Sequence, residues 1–335
     1  MTARALALFS GGLDSLLACR VIMEQGIEVR AVKFVTPFFG YELLEHSAGY
    51  CRDIRERYGI EVSLRDLSEP YLDMLLAPVY GYGRNFNPCV DCKILLLREA
   101  RRMMSDIGAD FLITGEVIGQ RPMSQRRDTL RVIERDSGCD GLLLRPLCAR
   151  HLPVTRAEES GLVDRQRLYG FGGRTRTPQI ELAARFGIGE YPAPSGGCVL
   201  TDPNRAQRIR KFQEIRGRLP VEDARLLLLG RHFLLPGGAW LVLGRYSADN
   251  DLLERLRLPT DRMLMAVNRP GPLALLRYVA QQDDVALAAA AVLHFGKKVE
   301  GEPLEPVAVF SAAGREEVWA SPCREMDFSR FRLCA

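Results

Sequence analysis

Short apolar runs alternate with helical segments through the first 115 residues, and this alternation constrains the fold more than any other feature of the chain. Strand-like runs are predicted over 4–9, 29–35, 60–64 and 111–114. Helical spacing closed by a glycine is predicted over 15–25, 47–58 and 93–107. Such β-α alternation predicts the α/β class, with a Rossmann-like, mostly parallel sheet that binds ligands at the carboxyl ends of its strands.

The length indicates a second domain. The chain has 335 residues, and domains usually have about 150. We place the boundary at Asp202-Pro203, which gives a nucleotide-type domain over 1–202 and a C-terminal α+β domain over 203–335. The second domain is expected to contain a strand over 239–243 and a helix over 283–294.

Composition excludes several protein classes. Hydrophobic residues make up 47% and charged residues 26% of the chain, which is ordinary for a globular protein and unlike a disordered one. No apolar run approaches the roughly 20 residues that span a bilayer, and the apolar start is too short for a secretory signal. Nine cysteines, an odd number, argue for reduced thiols. We therefore expect a cytoplasmic location and no contact with a membrane.

Positive charge is concentrated in three stretches. The net charge is only +4, but the stretches 121–131, 145–176 and 199–218 carry +3, +4 and +4, which leaves −7 for the rest. One alternative is that these arginines only reflect codon bias and lie on solvated faces. Three such stretches beside the motifs described next favour a phosphate-rich partner.

A glycine-rich hexapeptide links the first strand to the first helix. Its residues are Ser10, Gly11, Gly12, Leu13, Asp14 and Ser15. Free N–H groups and the helix dipole can bind an anion at such a position, and glycine lets the backbone approach it. Because Asp14 repels phosphate unless a cation lies between them, the motif predicts Mg²⁺. The alternative is an ordinary turn that caps a helix.

The hexapeptide resembles the signature of the PP-loop ATP pyrophosphatase family, Ser-Gly-Gly-x-Asp-Ser. The resemblance implies an adenine nucleotide alpha hydrolase type of fold and cleavage of ATP between its α- and β-phosphates. Members of the family use this chemistry to adenylate a carbonyl oxygen, so that a nucleophile can displace AMP. The resemblance leaves the acceptor open.

Two further motifs narrow the choice of acceptor. The segments 114–120, 124–125 and 144–147, with Gly115 and Gln120, resemble the Thr-Gly-Glu-x-x-Gly-Gln, Ser-Gln and Leu-Arg-Pro-Leu motifs of tRNA 4-thiouridine synthases. The segment 87–93, Asn-Pro-Cys-Val-Asp-Cys-Lys, resembles a motif of tRNA 2-thiouridylases. Together they imply sulfur transfer to tRNA, with Gly115, Gln120 and Phe34 added to the ATP-binding residues.

Three cysteines are the candidate sulfur-handling residues. Cys89 and Cys92 lie at a predicted helix start, where the dipole is expected to lower thiol pKa values. The resemblance places the second reactive cysteine of both thiolase families at Cys198. Three thiolates suit a [4Fe–4S] cluster with one open iron, so all three are candidate ligands. Alternatives are a persulfide on Cys198 resolved by Cys92, or a zinc knuckle or inert thiols.

Other chemically interesting residues receive weaker interpretations. We assign no role to the remaining six cysteines, which show no ligand spacing; they are Cys19, Cys51, Cys139, Cys148, Cys323 and Cys334. His151 and the glycine-rich loop 170–174 could contact RNA, but a structural role is favoured. The aromatic residues Tyr80, Tyr82 and Phe86 could stack on a base, although packing beneath the cysteine segment is favoured.

Substrate delivery is expected to depend on the second domain. Its segments 243–245 and 250–253 faintly resemble the RNA-binding region of NFACT proteins, and the basic run from Arg205 to Arg218 leads into it. The alternative for that run is a solvated linker helix. We expect neither a THUMP region nor a rhodanese-like domain, which favours sulfide, or else a sulfur donor protein, as the source of sulfur.

These observations support one principal hypothesis. The chain is expected to be an ATP-dependent tRNA uridine thiolase that uses ATP, Mg²⁺ and a [4Fe–4S] cluster, with Asp14, Cys89, Cys92 and Cys198 as catalytic residues. Its expected partners are tRNA, sulfide or a sulfur donor protein, and a second copy in a homodimer. The alternative is a PP-loop ligase or amidotransferase that acts on a small molecule. The motifs favour C4 of uridine over C2.

Overall fold

The structure is a computed structural model that describes residues 3–192, 197–299, 304–322 and 328–333. The chain divides into two compact units, Met1–Thr201 and Asp202–Ala335. Each unit has its own sheet.

The first unit contains a five-stranded parallel sheet with strand order β3-β2-β1-β4-β5. This architecture confirms the predicted α/β class. The strands are β1 (Arg4–Leu8), β2 (Glu28–Val35), β3 (Glu61–Asp66), β4 (Phe111–Thr114) and β5 (Leu143–Leu144). The helices are α1 (Leu13–Met23), α2 (Ser47–Tyr58), α3 (Ser68–Leu76), α4 (Cys89–Ile107), α5 (Arg127–Ser137), α6 (Arg156–Glu159) and α7 (Thr177–Arg185).

Alternate residues of the central strands pack on opposite faces of this sheet, as the pleat requires. Ala5 and Ala7 of β1 belong to the core that includes α1 and α7. Leu6 lies in a second core, formed with residues of α4 and α5. The sheet is therefore covered on both faces, and the loops that follow its strands at their carboxyl ends carry the candidate site.

Helix α4 begins four residues earlier than the sequence pattern predicts, at Cys89. Asp91 explains the early start, because its buried carboxylate accepts hydrogen bonds from the backbone N–H groups of Val79 and Tyr80 at 2.9 and 3.0 Å. These bonds fix the preceding loop against the first turn of the helix. As a result, both Cys89 and Cys92 lie within α4 near its N-terminus.

The second unit contains a six-stranded antiparallel sheet with strand order β11-β10-β8-β9-β7-β6. Its strands are β6 (Arg231–Leu234), β7 (Trp240–Leu243), β8 (Arg262–Ala266), β9 (Ala274–Arg277), β10 (Glu305–Ser311) and β11 (Gly314–Ala320). Its helices are α8 (Pro203–Arg216), α9 (Val221–Leu226), α10 (Ser247–Arg255) and α11 (Gln282–His294). The α+β class is confirmed for this part of the chain.

The core of the second unit forms where α11 packs on the sheet. Buried alanines dominate the helix face, and they contact Leu241, Leu264 and Val307 of three strands. A buried arginine, Arg277 on β9, is neutralised by Asp223 and Asp261 at 2.7 and 2.6 Å. In the part of the chain that the structure describes, no helix is both long enough and apolar enough to cross a membrane.

Candidate functional site

The glycine-rich hexapeptide forms the turn between β1 and α1, as predicted. Gly11 has a φ of +84°, which glycine adopts without strain. A Cβ at this position would lie 3.1 Å from the Tyr50 hydroxyl. No described side chain caps α1, whose N-cap is Gly12. The first N–H groups of the helix are thus left for an anion.

Two serine hydroxyls line the turn. Ser15 Oγ donates to the Gly12 carbonyl at 2.8 Å, and Ser10 Oγ accepts from the Gly12 N–H at 3.2 Å. The two hydroxyl oxygens lie 3.1 Å apart. Lys33, on the neighbouring strand β2, donates to the Ser10 carbonyl at 2.6 Å. The turn is therefore held in place by its own hydroxyls and by one cation.

Asp14 lies in the first turn of α1, with one carboxylate oxygen paired and the other unpaired. Gln120 Nε2 donates to Oδ2 at 3.0 Å, and an Arg176 nitrogen lies 3.5 Å from the same atom. Oδ1 is buried and has no hydrogen-bond partner among the described residues. An unsatisfied buried carboxylate oxygen beside a phosphate-type turn is a suitable ligand for Mg²⁺.

The segment after β4 packs directly on this turn. A Cβ on Gly115 would lie 2.3 Å from the Asp14 carbonyl oxygen, so the two backbones approach more closely than any side chain would permit. Gln120, at the other end of the segment, reaches Asp14 as described above. The Thr-Gly-Glu segment therefore forms one wall of the phosphate turn.

Glu116 links this wall to the cysteine helix. Its Oε2 accepts from Arg145 Nε at 3.0 Å and from Thr114 Oγ1 at 3.1 Å, and Lys93 Nζ lies 3.4 Å from Oε1. Burial alone would raise the pKa of this carboxyl, but the charges of Lys93 and Arg145 and the hydrogen bonds lower it to about 2. Glu116 is therefore ionised at neutral pH, and it fixes the residue that follows Cys92.

Two hydrogen bonds hold the segment containing Cys198 near the start of α4. The Phe86 N–H donates to the Leu200 carbonyl at 3.2 Å, and Asn85 Nδ2 donates to the Thr201 carbonyl at 2.6 Å. Asn85 has a φ of 60°, a conformation that asparagine tolerates better than most residues. These bonds join the segment that contains Cys198 to the segment that precedes Cys89 and Cys92. Asn87 Nδ2 in the latter segment donates to Cys89 Sγ at 3.0 Å.

The thiols behave differently from the sequence-based prediction, which was that the helix dipole lowers their pKa values. Burial raises the pKa of Cys92 to about 12; the Lys93 charge opposes this rise, and Cys198 and Cys89 add to it. Burial also raises the pKa of Cys198, and Cys89 adds to that shift. For Cys92 the prediction was wrong, because loss of solvation outweighs the dipole.

The donor set suits a metal cluster chemically. Soft thiolate ligands are typical of iron–sulfur sites, and a metal ion replaces the protons of such thiols when it binds. As the described residues stand, no group of three or more His, Cys, Asp or Glu side chains is arranged to hold a metal ion. Gly197 and Cys198 are described, whereas residues 194–196 of the predicted motif lie outside the described residues.

Other residues singled out from the sequence have structural contacts. Phe34, predicted as a nucleotide contact, is buried in the core between the sheet and α4. Tyr82 and Phe86 stack on each other with ring centroids 4.4 Å apart. The Nε2 atom of His151 lies 2.7 Å from the Gly170 carbonyl oxygen.

The remaining described cysteines are free thiols distributed through the unit. Burial raises the pKa of Cys19 to about 12 and that of Cys148 to about 11, as expected of inert core thiols. Cys323 and Cys334 lie outside the described residues.

The basic run on α8 was predicted to align several charges for phosphate contact, and the structure corrects this in part. Arg208 is buried and donates to the carbonyls of Leu227 and Leu229 at 2.6 and 3.1 Å. Arg216 donates to the Gly238 carbonyl at 2.5 Å and lies over the Tyr278 ring. Two of the six basic residues thus stabilise the second unit, because their hydrogen bonds satisfy carbonyls inside it.

Sequence reasoning missed three contributors to the site. Lys33, Arg176 and Tyr71 were not selected, although Tyr71 opposes the rise in the pKa of Cys92. Arg176 lies in a basic stretch that had been noted, but nothing in the stretch distinguishes it from its neighbours. The contacts of all three depend on tertiary structure.

Comparison with known families agrees with the motifs. Residues 1–151 match the family model described as thiamine biosynthesis protein (ThiI). Residues 230–332 match the NFACT protein RNA binding domain. The resemblance of the N-terminal part to PP-loop tRNA thiouridine synthases is therefore confirmed, and so is the faint NFACT resemblance of the C-terminal part.

Individual relatives cover only part of the chain. A probable tRNA sulfurtransferase of Thermococcus kodakarensis is 27% identical over 145 residues, covering 43% of this chain and 36% of the relative. The tRNA-specific 2-thiouridylase MnmA of Sulfurimonas denitrificans is 30% identical over 129 residues, covering 35% of this chain and 36% of the relative. The chain thus spans about a third of the length of these curated relatives.

Among solved structures, a 4-thiouridine synthetase in complex with RNA and bound ATP has a TM-score of 0.38 and 22% identity to this chain. That similarity covers 68% of this chain and 52% of the other.

Proposed function

We propose that this protein thiolates a uridine in tRNA at the expense of ATP. The observation that carries the proposal is the continuous contact between the two halves of the site. Gly115 packs on the backbone of Asp14, and the adjacent Glu116 binds Lys93, which follows Cys92. A nucleotide held at the phosphate turn would therefore lie at the same edge of the sheet as the cysteines, where the strands have their carboxyl ends.

In the first step, ATP binds to the turn formed by residues 10–15. The free N–H groups of α1 would bind the phosphates, and Asp14 Oδ1 would hold the Mg²⁺ that offsets the repulsion between this carboxylate and the phosphates. A uracil carbonyl oxygen attacks the α-phosphorus, the bond from that phosphorus to the bridging oxygen breaks, and pyrophosphate leaves. The turn residues accelerate this step by stabilising charge on phosphorus and by aligning the reactants.

In the second step, a sulfur nucleophile adds to the activated ring carbon. The carbon–oxygen bond then breaks, AMP leaves with the original oxygen, and the hydrosulfide proton passes to solvent. With sulfide as the donor, no change of oxidation state is needed. Adenylation makes this substitution possible, because AMP is a far better leaving group than the carbonyl oxygen itself.

Cys89, Cys92 and Cys198 are the residues that would hold a [4Fe–4S] cluster. When bound with three cysteine ligands, such a cluster supplies one open iron as a Lewis acid for the sulfur donor. Asn87 supports this assignment, since it donates to Cys89 Sγ, and amide donors to cysteine sulfur tune such sites. Persulfide chemistry on Cys198 is the alternative; it would leave a Cys92–Cys198 disulfide that needs a thiol reductant.

The acceptor can be tested by following AMP release from ATP labelled at the α-phosphate. With sulfide and Mg²⁺ present, we expect unmodified tRNA to stimulate release strongly and Asp14→Asn to abolish that stimulation. If tRNA does not change the rate of AMP release but a small carbonyl compound increases it, the result would instead support a small-molecule ligase or amidotransferase.

The cluster can be tested by measuring iron and sulfide in anaerobically purified protein. We expect about four irons per chain, with loss of iron in Cys89→Ala and retention in Cys51→Ala, a matched cysteine on α2. Absence of iron after anaerobic reconstitution would contradict the cluster and favour the persulfide route.

A further inference from the structure

A basic cavity lies at the end of α1 opposite the phosphate turn. Its volume is about 370 Å³, and its lining includes Arg150, Arg167, Arg185, Tyr169 and Glu24. Glu24 directly follows the last residue of α1, whereas Asp14 lies in the first turn. At 1.5 Å per residue, the cavity is about 15 Å from Asp14 along the helix. It is thus distinct from the phosphate turn.

The three guanidinium groups of this cavity are not neutralised by carboxylates of the described residues. Arg150 donates to the Gln166 carbonyl at 2.5 Å, and Arg167 donates to the Glu24 carbonyl at 2.6 Å. Arg185, at the end of α7, is exposed. Backbone carbonyls orient two of the cations without cancelling their charge. With the Glu24 carboxylate included, the cavity carries a net charge of about +2, which favours an anion.

The cavity wall is fixed by hydrogen bonds within the first unit. The Tyr169 N–H donates to the Pro146 carbonyl at 2.9 Å, and the Arg150 N–H donates to the Tyr169 carbonyl at 3.1 Å. Gln25 Oε1 accepts from the Asp164 N–H at 2.8 Å, which joins the end of α1 to the short helix Arg165–Arg167. Planar, pre-oriented guanidinium groups on such a frame match the geometry of phosphate oxygens.

Tyr169 gives the cavity an aromatic component. Its ring lies 4.9 Å from that of Phe171 and is half-buried. Aromatic faces beside arginines are how proteins commonly bind unstacked nucleotides of single-stranded RNA. The same chain segment continues through the exposed Arg174 to Arg176, which reaches Asp14. Along the chain, positively charged residues therefore link the cavity wall to a contact of the phosphate turn.

We propose that this cavity binds a phosphate group of the RNA strand, with the attached nucleoside against Tyr169, while the target uridine occupies the phosphate-turn site. This inference rests on the proposed function, because it takes tRNA as the substrate. An RNA strand is favoured over a free nucleotide, since only a polymer uses both the cavity and the charged segment that leads from it to Asp14.

The test is the salt dependence of tRNA binding to the full chain, measured by fluorescence anisotropy with labelled tRNA. Each phosphate contact contributes about one to the slope of log K against log salt. We expect Arg167→Gln/Arg185→Gln to reduce the slope by one to two and to weaken binding at moderate salt. Glu24→Gln, which removes the opposing charge, should strengthen binding. Arg102→Gln, an exposed arginine on α4 paired with Glu99, should leave the slope within about 0.3 of wild type.

The outcomes separate the two proposals. Wild-type protein that fails to bind tRNA would overturn both the proposed function and this inference. Wild-type binding with an unchanged slope in the double variant and in Glu24→Gln would overturn the inference alone. Calorimetric titration with AMP tests whether the cavity instead binds the phosphate of a free nucleotide. A second AMP site that is present in wild type and absent from the double variant, while both bind tRNA equally, would contradict the RNA assignment.

Discussion

Gln120 Nε2 donates a 3.0 Å hydrogen bond to Asp14 Oδ2 across 106 residues of sequence. The other carboxylate oxygen, Oδ1, is buried and has no hydrogen-bond partner among the described residues. The carboxylate is thereby oriented by one residue while its second oxygen remains free for a cation. The phosphate turn and the segment after β4 are consequently joined into one structural element.

The first prediction concerns Asp14. Asp14→Asn keeps the shape of the side chain and can still accept a hydrogen bond from Gln120, but it removes the negative charge that we propose binds Mg²⁺. We expect AMP formation from ATP to fall about 100-fold or more, with tRNA affinity unchanged. Assays over a range of Mg²⁺ concentrations measure the effect. Asp73→Asn, at an exposed position on α3, is the matched control, and equal activity of both variants would refute the role of Asp14.

The second prediction concerns the close contact at Gly115. In Gly115→Ala the new Cβ would lie 2.3 Å from the Asp14 carbonyl oxygen, so the backbone must move. We expect ATP affinity to fall at least tenfold and the free energy of unfolding to fall by about 1–3 kcal/mol. In Gly49→Ala, within α2, the Cβ meets nothing within 4 Å, so stability should be unchanged or slightly higher. Calorimetric ATP titration and urea unfolding measure both effects, and wild-type ATP binding by Gly115→Ala would count against this packing.

The third prediction is a pH dependence of stability from Glu116. Because the folded-state pKa lies at about 2, below the ordinary 4.5, the ionised carboxylate stabilises the fold above pH 4.5. That contribution is lost as pH falls towards 2. We expect Glu116→Gln to lower the free energy of unfolding by roughly 3 kcal/mol at pH 7, with the gap to wild type closing between pH 4.5 and 2.

Urea unfolding at a series of pH values measures this gap. Asp128→Asn, which removes an exposed partner of Arg126, is the control and should change the free energy of unfolding by less than about 1 kcal/mol. The lowered pKa of Glu116 would be contradicted if the free energies of unfolding of Glu116→Gln and wild type are equal at pH 7. It would also be contradicted if their difference stays constant down to pH 2.5.

The fourth prediction separates structural from RNA-binding arginines in the second unit. Arg208→Met removes the hydrogen-bond donors to the Leu227 and Leu229 carbonyls. The free energy of unfolding, measured by thermal unfolding, should therefore fall by about 1–3 kcal/mol. Its tRNA-binding salt slope should not change. Arg218→Gln, at an exposed position after α8, should leave stability unchanged. If Arg208→Met reduces the salt slope of tRNA binding and leaves stability unaltered, the structural role of Arg208 would be contradicted.

The sequence predicted the first unit well because its signals are local. Apolar strands, glycine stops and the hexapeptide each occupy a few consecutive residues, and the parallel sheet follows from their order. Helix α4 was predicted to begin at Lys93 instead of Cys89, because the stabilising contact comes from Asp91 to a loop twelve residues earlier in the chain. Local patterns do not contain that contact.

Burial accounts for the main errors in the site and in the second unit. The pKa of Cys92 rises to about 12 instead of falling, because desolvation depends on what packs around the thiol. Arg208 was predicted to lie among surface charges, but it is buried and donates a hydrogen bond to the Leu227 carbonyl. Most strands of the second unit were not predicted, since short antiparallel strands pair through contacts that their own composition does not indicate.

The most direct test of the central claim is nucleoside analysis by mass spectrometry after incubating unmodified tRNA with the anaerobic protein, ATP, Mg²⁺ and sulfide. We predict that thiouridine forms with wild-type protein and with Cys51→Ala, and that it is lost in Cys198→Ala and Asp14→Asn. AMP formation without any thiouridine, or full thiolation by Cys198→Ala, would contradict this claim.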